Sequence, residues 1–455
     1  MIRAKRGSTV KDMTSGSIIR HIILFALPLM FGNVFQMLYN TVDSVVVGNF
    51  VGKQALAAIG ATTPIVNIFV FFFNGFSVGA GVVIGNYFGA HDYDKLHDAI
   101  ETTVAATFAL CAIFTAAGIA GIDGMLKIMD TPEDVFRQAA LYLRIYIGGI
   151  SGLLIYNVCS GILRAVGDST RPLFFLILTS VMNIALDLAF VILLDAGIAG
   201  VAYATVISQF VSAALTLRLL TNSREVYRLT WRDLRIYPQH LKRIFSIGLP
   251  AGFQAVVTAF SNIFVQSYIN AFGSDCMAGW SSYIKLDSFV ILPMQSAAQS
   301  VTTFVSQNIG AKQEERASRG TAITVALTVG ITLLICTFLL IFAAPAIKLF
   351  SPDEAVIKYG VMFIRTNTGF FVFNCVSHVL AGSLRGRGDS RGPMIIMLGC
   401  FVGVRQLYLY IVTRFIANTA RIVGFGYPVG WMSCAAVEAV YYLIRMRKQR
   451  KNALT

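Results

Sequence analysis

The sequence predicts an all-α integral membrane protein of twelve transmembrane helices in two six-helix bundles, and three observations carry that expectation. Of 455 residues, 56% are hydrophobic and only 13% charged, whereas soluble domains hold about 45–50% apolar and about 25% charged residues. The apolar residues gather into runs of about 20 or more, each long enough to cross a hydrocarbon core about 30 Å thick. A polar motif also recurs: GILRAVGDSTRP at 161–172 returns as GSLRGRGDSRGP at 382–393, an offset of 221. Together these exclude a soluble enzyme, a nucleic-acid binder and a secreted scaffold. The net charge of +14 must then be explained by where the charges lie.

Twelve apolar windows fall near 21–48, 55–85, 100–121, 136–163, 172–194, 198–220, 243–270, 278–306, 320–343, 358–383, 393–413 and 422–444. The first follows a basic segment as a signal peptide would, but it runs on past Pro28 without a small-residue cleavage site, which predicts a retained helix. The second holds FVFFF at 69–73, a packing or lipid-facing run. Membrane strands would need alternating segments of about 10 residues, and runs such as ITLLICTFLLIFAAPAI do not alternate. The seven cysteines form no CxxC pair, which predicts neither a disulfide framework nor a thiolate metal site. Among the histidines only His378 lies in a span, as a buried core residue.

The motif repeat extends to the whole frame. Arg144 meets Arg365 and LKIM at 126–129 meets IKLF at 347–350, both at the offset of 221, and Pro28 meets Pro250 at 222. This predicts an N-terminal six-helix lobe at 1–220, a basic cytoplasmic linker at 221–241 and a C-terminal six-helix lobe at 242–455. An even number of spans makes both copies enter the membrane in the same sense, with a pseudo-two-fold axis along the membrane normal. The repeated loop itself reads as a tight cytoplasmic turn, with Arg164 and Arg385 reaching lipid headgroups.

Orientation follows from the basic residues. Loops on one side, with both termini, hold 26 Lys and Arg and the opposite loops 7, so both termini are expected in the cytoplasm. The positive charge is thus a topology signal, with the lipid bilayer as partner and no nucleic acid. The protein is expected to be a monomer.

Four acids sit inside spans away from their first residues: Asp43, Asp187, Asp287 and Glu438. A carboxylate at the bilayer centre costs on the order of 2.5–3.5 kcal/mol, so each needs a partner, a proton or an ion. Asp43 lies about five residues short of the outer end of span 1, Asp187 about seven short of the end of span 5, and Thr205 about seven into span 6. At about 1.5 Å per residue they share one depth. Gln36, Tyr39, Asn40 and Asp43 stripe span 1, Asn183 and Asp187 share a face of span 5, and Thr205 and Gln209 a face of span 6. Carboxylate, amide and hydroxyl oxygens without His or Cys suit a hard cation or a proton and no transition metal. Asp43, Asn183, Asp187 and Thr205 are therefore the candidate cation site, with no metal beyond Na⁺. Pro28 is the candidate hinge of span 1, because proline frees a backbone carbonyl. In the other half Val265 stands where Asp43 does, so coupling is expected to be one-sided. Asp287 is expected to pair with Arg405 or to contact substrate, and Glu438 to be a rim residue.

TSGSIIRHIILFALPLMFGNVFQMLYNTVDSVVVGNFVG at 14–52, the paired LRxxGDS loops and the duplicated plan resemble the multidrug and toxic compound extrusion family, over about residues 14–445. Within it, NxxxD at 183–187 followed by Thr205 is similar to the DinF-like prokaryotic branch; spans 7 and 10 lack the acids of the NorM-like branch. The resemblance implies a multi-pass protein of a prokaryotic inner membrane that is no enzyme. It would export small organic cations or amphiphilic drugs in exchange for Na⁺ or H⁺ by alternating access, with the coupling ion in place of any cofactor. A lipid-linked saccharide or lipid flippase of the same superfamily is the alternative, since Arg144, Arg365 and Arg405 could line a cleft.

Overall fold

The computed structural model describes residues 11–454. Residues 1–10 and 455, the ends of the two expected lobes, and with them Arg3, Lys5 and Arg6 of the basic N-terminus, lie outside the described residues. Among the described residues there is no strand, and every expected span is helical. The first half comprises α1 (Ile18–Val46), α2 (Lys53–Gly89), α3 (Tyr93–Ile128), α4 (Glu133–Gly148), α5 (Ile150–Ala165), α6 (Thr170–Leu188) and α7 (Gly197–Asn222). The second comprises α8 (Pro238–Asn270), α9 (Ser274–Gly310), α10 (Glu314–Ile341), α11 (Ala343–Lys348), α12 (Glu354–Asn367), α13 (Phe371–Gly386), α14 (Arg391–Leu398), α15 (Arg405–Phe415), α16 (Ala420–Gly424) and α17 (Gly426–Leu454).

Among the described residues eight helical stretches, α14 and α15 with the turn between them counted as one, are long and apolar enough to cross a membrane, and α4 with α5, bent by 46°, makes a ninth. The three other expected spans coincide with α9, α12 with α13, and α17. Polar or basic residues dilute two of them, Lys285 and Asp287 on α9 and the basic tail of α17, and the 3₁₀ turn at Thr368–Phe370 breaks the third into α12 of 14 and α13 of 16 residues. Three π-turns interrupt the helices, at Val47–Val51 after α1, Ala189–Leu193 after α6 and Gly399–Val404 before α15. Such turns cluster at functional sites.

Two compact units result. The first takes residues 11–15, Leu27–Gly252 and Gly310–Lys312, and the second Gly16–Ala26, Phe253–Ile309 and residues 313–454. The changeovers thus fall inside α1, one residue before Pro28, and inside α8, two residues after Pro250. The first unit packs α2, α5 and α7 around Phe73, Phe76, Ile100 and Leu154; the second packs α10, α13 and α17 around Trp280, Phe363, Phe371 and Cys434. In the first unit Gly75 and Gly79 of α2 meet Gly248 and Gly252 of α8 so closely that a Cβ on Gly75 would lie 2.5 Å from the Gly248 carbonyl oxygen. Only small residues permit this approach of two backbones.

The repeated loops fold alike. Gly167 and Gly388 adopt φ of 87° and 86°, a left-handed conformation that glycine enters without a Cβ penalty. The Asp168 and Asp389 amides donate to the Leu163 and Leu384 carbonyls at 2.9 Å, closing the preceding helices. Each aspartate then accepts from the next helix, Asp168 from the Thr170 and Arg171 amides at 3.1 Å and Asp389 from the Gly392 amide at 3.0 Å. LRxxGDS is therefore a C-cap joined to an N-cap. The expectation that Arg385 reaches headgroups is corrected: its Nε is sealed from solvent and its charge faces Glu438. Glu438 is fully buried and is not a rim residue.

Candidate functional site

The outer part of the first unit collects polar groups that an apolar interior would exclude. Asp187 is fully buried on α6, and Asp43 comes from α1, whose residue Tyr39 lies one turn earlier. The two carboxyl groups meet. No protein donor reaches Asp43 Oδ1 or either oxygen of Asp187. Two carboxylates cannot both stay ionised at such an approach without a proton or a cation between them.

Further oxygens surround the pair. Asn183, one turn back on α6 and 2% exposed, has neither amide atom hydrogen-bonded. Thr205 on α7 donates to the Val201 carbonyl at 3.0 Å, which leaves its oxygen free to accept. Gln209 donates through Nε2 to the Tyr146 hydroxyl at 3.3 Å while its Oε1 stays unpartnered, as do the Ser180 and Ser208 hydroxyls. The polar seam continues inward, where Ser212 donates to Thr179 at 2.7 Å. Gln36 is exposed beside the Tyr39 hydroxyl. Asn40 is exposed, so the stripe on α1 turns only Tyr39 and Asp43 toward the cluster.

Two tyrosines that the sequence did not single out complete the wall. Tyr142 and Tyr146 of α4 stack with centroids 5.7 Å apart and interplanar angle 19°, and both face Asp43. Their spacing of four residues was the available signal. The acids also precede π-turns, four residues after Asp43 and two after Asp187. Carboxylate, amide and hydroxyl oxygens without His or Cys fit a proton or a singly charged hard cation.

The second unit is built differently. Arg405, 3% exposed, donates to the Ser261 hydroxyl at 2.6 Å and lies 4.8 Å above the Tyr427 ring centroid. The expected ion pair between Asp287 and Arg405 is absent, because the guanidinium is already held by a hydroxyl and a ring face. Arg144 bonds Asp123 at 3.1 Å and is exposed.

Fold and site together define a multi-pass membrane transporter whose first half carries a close pair of acids with no protein donor. A family model described as MatE matches residues 28–189 and again 250–411, which recovers the duplication at an offset of 222. The chain belongs to the MatE family. It is 28% identical over 436 residues to the probable multidrug resistance protein YpnP of Bacillus subtilis, covering 95% of this chain and 96% of that one. It is 25% identical to YoeA of the same organism, another probable multidrug resistance protein, covering 95% of each chain. Its fold matches a MOP superfamily transporter of Pyrococcus furiosus with a TM-score of 0.91 at 24% identity, covering 97% of this chain and 99% of that one.

Proposed function

We propose that the protein exports organic cations or amphiphilic drugs across a prokaryotic plasma membrane in exchange for Na⁺ or H⁺, with both termini in the cytoplasm. One observation carries the coupling: Asp43 and Asp187 meet among polar side chains, yet no protein donor reaches Asp43 Oδ1 or either oxygen of Asp187. Such a pair takes up a proton or a cation and gives it up when α1 withdraws, so occupancy and helix position are linked. Carrying a population from 1:99 to 99:1 requires about 5.5 kcal/mol of preference for one state. The changeover between units beside Pro28 supports reading that residue as the hinge. Names of relatives such as YpnP supply the multidrug substrate class.

The flippase alternative asks for basic residues lining a cleft. Arg405 is buried and engaged with Ser261 and Tyr427, and this weighs against it. The deciding experiment loads proteoliposomes with ethidium and follows efflux under an imposed Na⁺ gradient and then an imposed pH gradient. Acceleration by one of them supports ion exchange. Efflux indifferent to both, with transbilayer movement of a lipid-linked saccharide, supports the flippase.

A further inference from the structure

The coupling site leaves two acids unused, and of these Glu438 faces Arg385 while Asp287 faces no cation. Asp287 lies thirteen residues into α9 and is part-buried, with Oδ1 sealed and without a partner. The cations that could pair with it are directed elsewhere. Arg405 bonds Ser261, the exposed Lys285 lies 5.4 Å over the Phe350 ring, and Arg365 is exposed. A lone carboxylate at such depth is costly, so it awaits a positive charge that the chain does not supply.

A second polar group lies beside the same tyrosine as Asp287. Asn367, fully buried, has no hydrogen-bond partner for its amide nitrogen or oxygen, although the Tyr283 hydroxyl lies beside it. Tyr283 stands one turn from Asp287 on α9 and faces both groups. The broken helix after Asn367 adds the unpartnered hydroxyl of Thr368.

Aromatic rings enclose these groups. Trp280 packs on Phe363 at 4.8 Å, Tyr283 at 5.1 Å and Tyr427 at 5.5 Å between centroids, and Trp431 lies 5.8 Å from Tyr427. Asp287 acts on the Tyr283 and Tyr427 hydroxyls, so it belongs to this cluster. Arg405 demonstrates its chemistry, since one face of Tyr427 already holds a planar delocalised cation.

We propose that Asp287 and Asn367, with the rings of Tyr283 and Tyr427, form a subsite in the second unit for the charged head of an organic cation. This rests on the reading of the protein as an organic-cation exporter. One carboxylate ringed by aromatic side chains suits a large, weakly hydrated cation, in contrast to the oxygen-rich pair in the first unit, which suits a small hard one.

Of the three tryptophans, Trp280 and Trp431 belong to this cluster and Trp231 is exposed outside the membrane spans. In the full chain carrying Trp231→Phe, tryptophan fluorescence therefore reports on the subsite. Titration with ethidium, and with an uncharged phenanthridine as control, gives the test. Ethidium should quench saturably, and Asp287→Asn should weaken its binding by about tenfold or more while leaving the neutral control unchanged. Asp287→Glu should restore binding. Asn367→Val carries the same expectation if Asp287→Asn does not yield monodisperse protein. Wild-type affinity for ethidium in Asp287→Asn, or equal weakening of the neutral control, overturns the subsite. If ethidium binding depends on Asp287 while efflux ignores both gradients, the subsite stands and the coupling reading falls. Gradient-driven efflux with ethidium binding independent of Asp287 gives the reverse.

Discussion

Gly79→Ala is the sharpest test of how the first unit is packed. The added Cβ would collide with the Ile244 carbonyl oxygen and lie 2.8 Å from the Gly248 nitrogen and 3.0 Å from its Cα. Carbon contacts are optimal at about 3.5–4.0 Å, so α2 and α8 must part there by about 0.5–1 Å. The atoms struck are backbone and cannot rotate aside, which places the cost at about 1–3 kcal/mol. Alanine also favours helix over glycine by about 1 kcal/mol, so the clean measure is a comparison with Gly330→Ala on α10, where a Cβ meets nothing within 4 Å. Thermal unfolding of the purified variants in one detergent should place Gly330→Ala at or above the wild type and Gly79→Ala below both. Gly79→Ala and Gly248→Ala should combine non-additively, because they press on one seam. A Gly79→Ala protein that melts with Gly330→Ala would refute the close approach of α2 and α8.

Three further outcomes follow from other parts of the molecule. Burial pushes the Asp389 carboxyl up, but the Gly392 amide, the Tyr441 hydroxyl and Arg445 outweigh it and hold it below the usual 3.8. A depressed folded value stabilises above the unfolded value and is lost as pH falls through the folded one; hydrogen exchange over residues 441–448 should therefore quicken only below about pH 4, and Asp389→Asn should remove that step. Arg405→Lys keeps the charge but loses the planar stack on Tyr427, and should lower stability by about 1–2 kcal/mol in a thermal melt, less so if Tyr427 has first been changed to Leu. Pro28→Ala should slow efflux more than it weakens equilibrium ethidium binding, while Pro250→Ala leaves ion dependence intact; equal loss of ion dependence in both would remove the hinge.

Much of this architecture was legible because spans are a property of composition. A run such as ITLLICTFLLIFAAPAI has one way to satisfy its backbone in hydrocarbon, and the turn in LRxxGDS is encoded by a glycine and an aspartate within it. Asp43 and Asp187 were legible as anomalies, since depth could be counted along each helix. The convergence of Tyr142 and Tyr146 on Asp43 was not, because it depends on the 46° bend between α4 and α5 and on helix rotation, which no local pattern states. The Asp287–Arg405 pair failed for the same reason: opposite charges on two helices say nothing of Ser261 and Tyr427, which reach the guanidinium first. Arg385 was misplaced because an arginine at a span end reads as a headgroup anchor until Glu438 is seen facing it.

The central claim is that Asp43 and Asp187 together carry the coupling ion. It is tested most directly by ethidium efflux from proteoliposomes of the wild type, Asp43→Asn and Asp187→Asn, each with and without the gradient that drives the wild type. Each asparagine removes a buried charge without changing shape, so both variants should insert and fold. The account predicts that the gradient accelerates efflux by the wild type and has no effect on either variant. Efflux through Asp187→Asn that the gradient drives as strongly as in the wild type would contradict it.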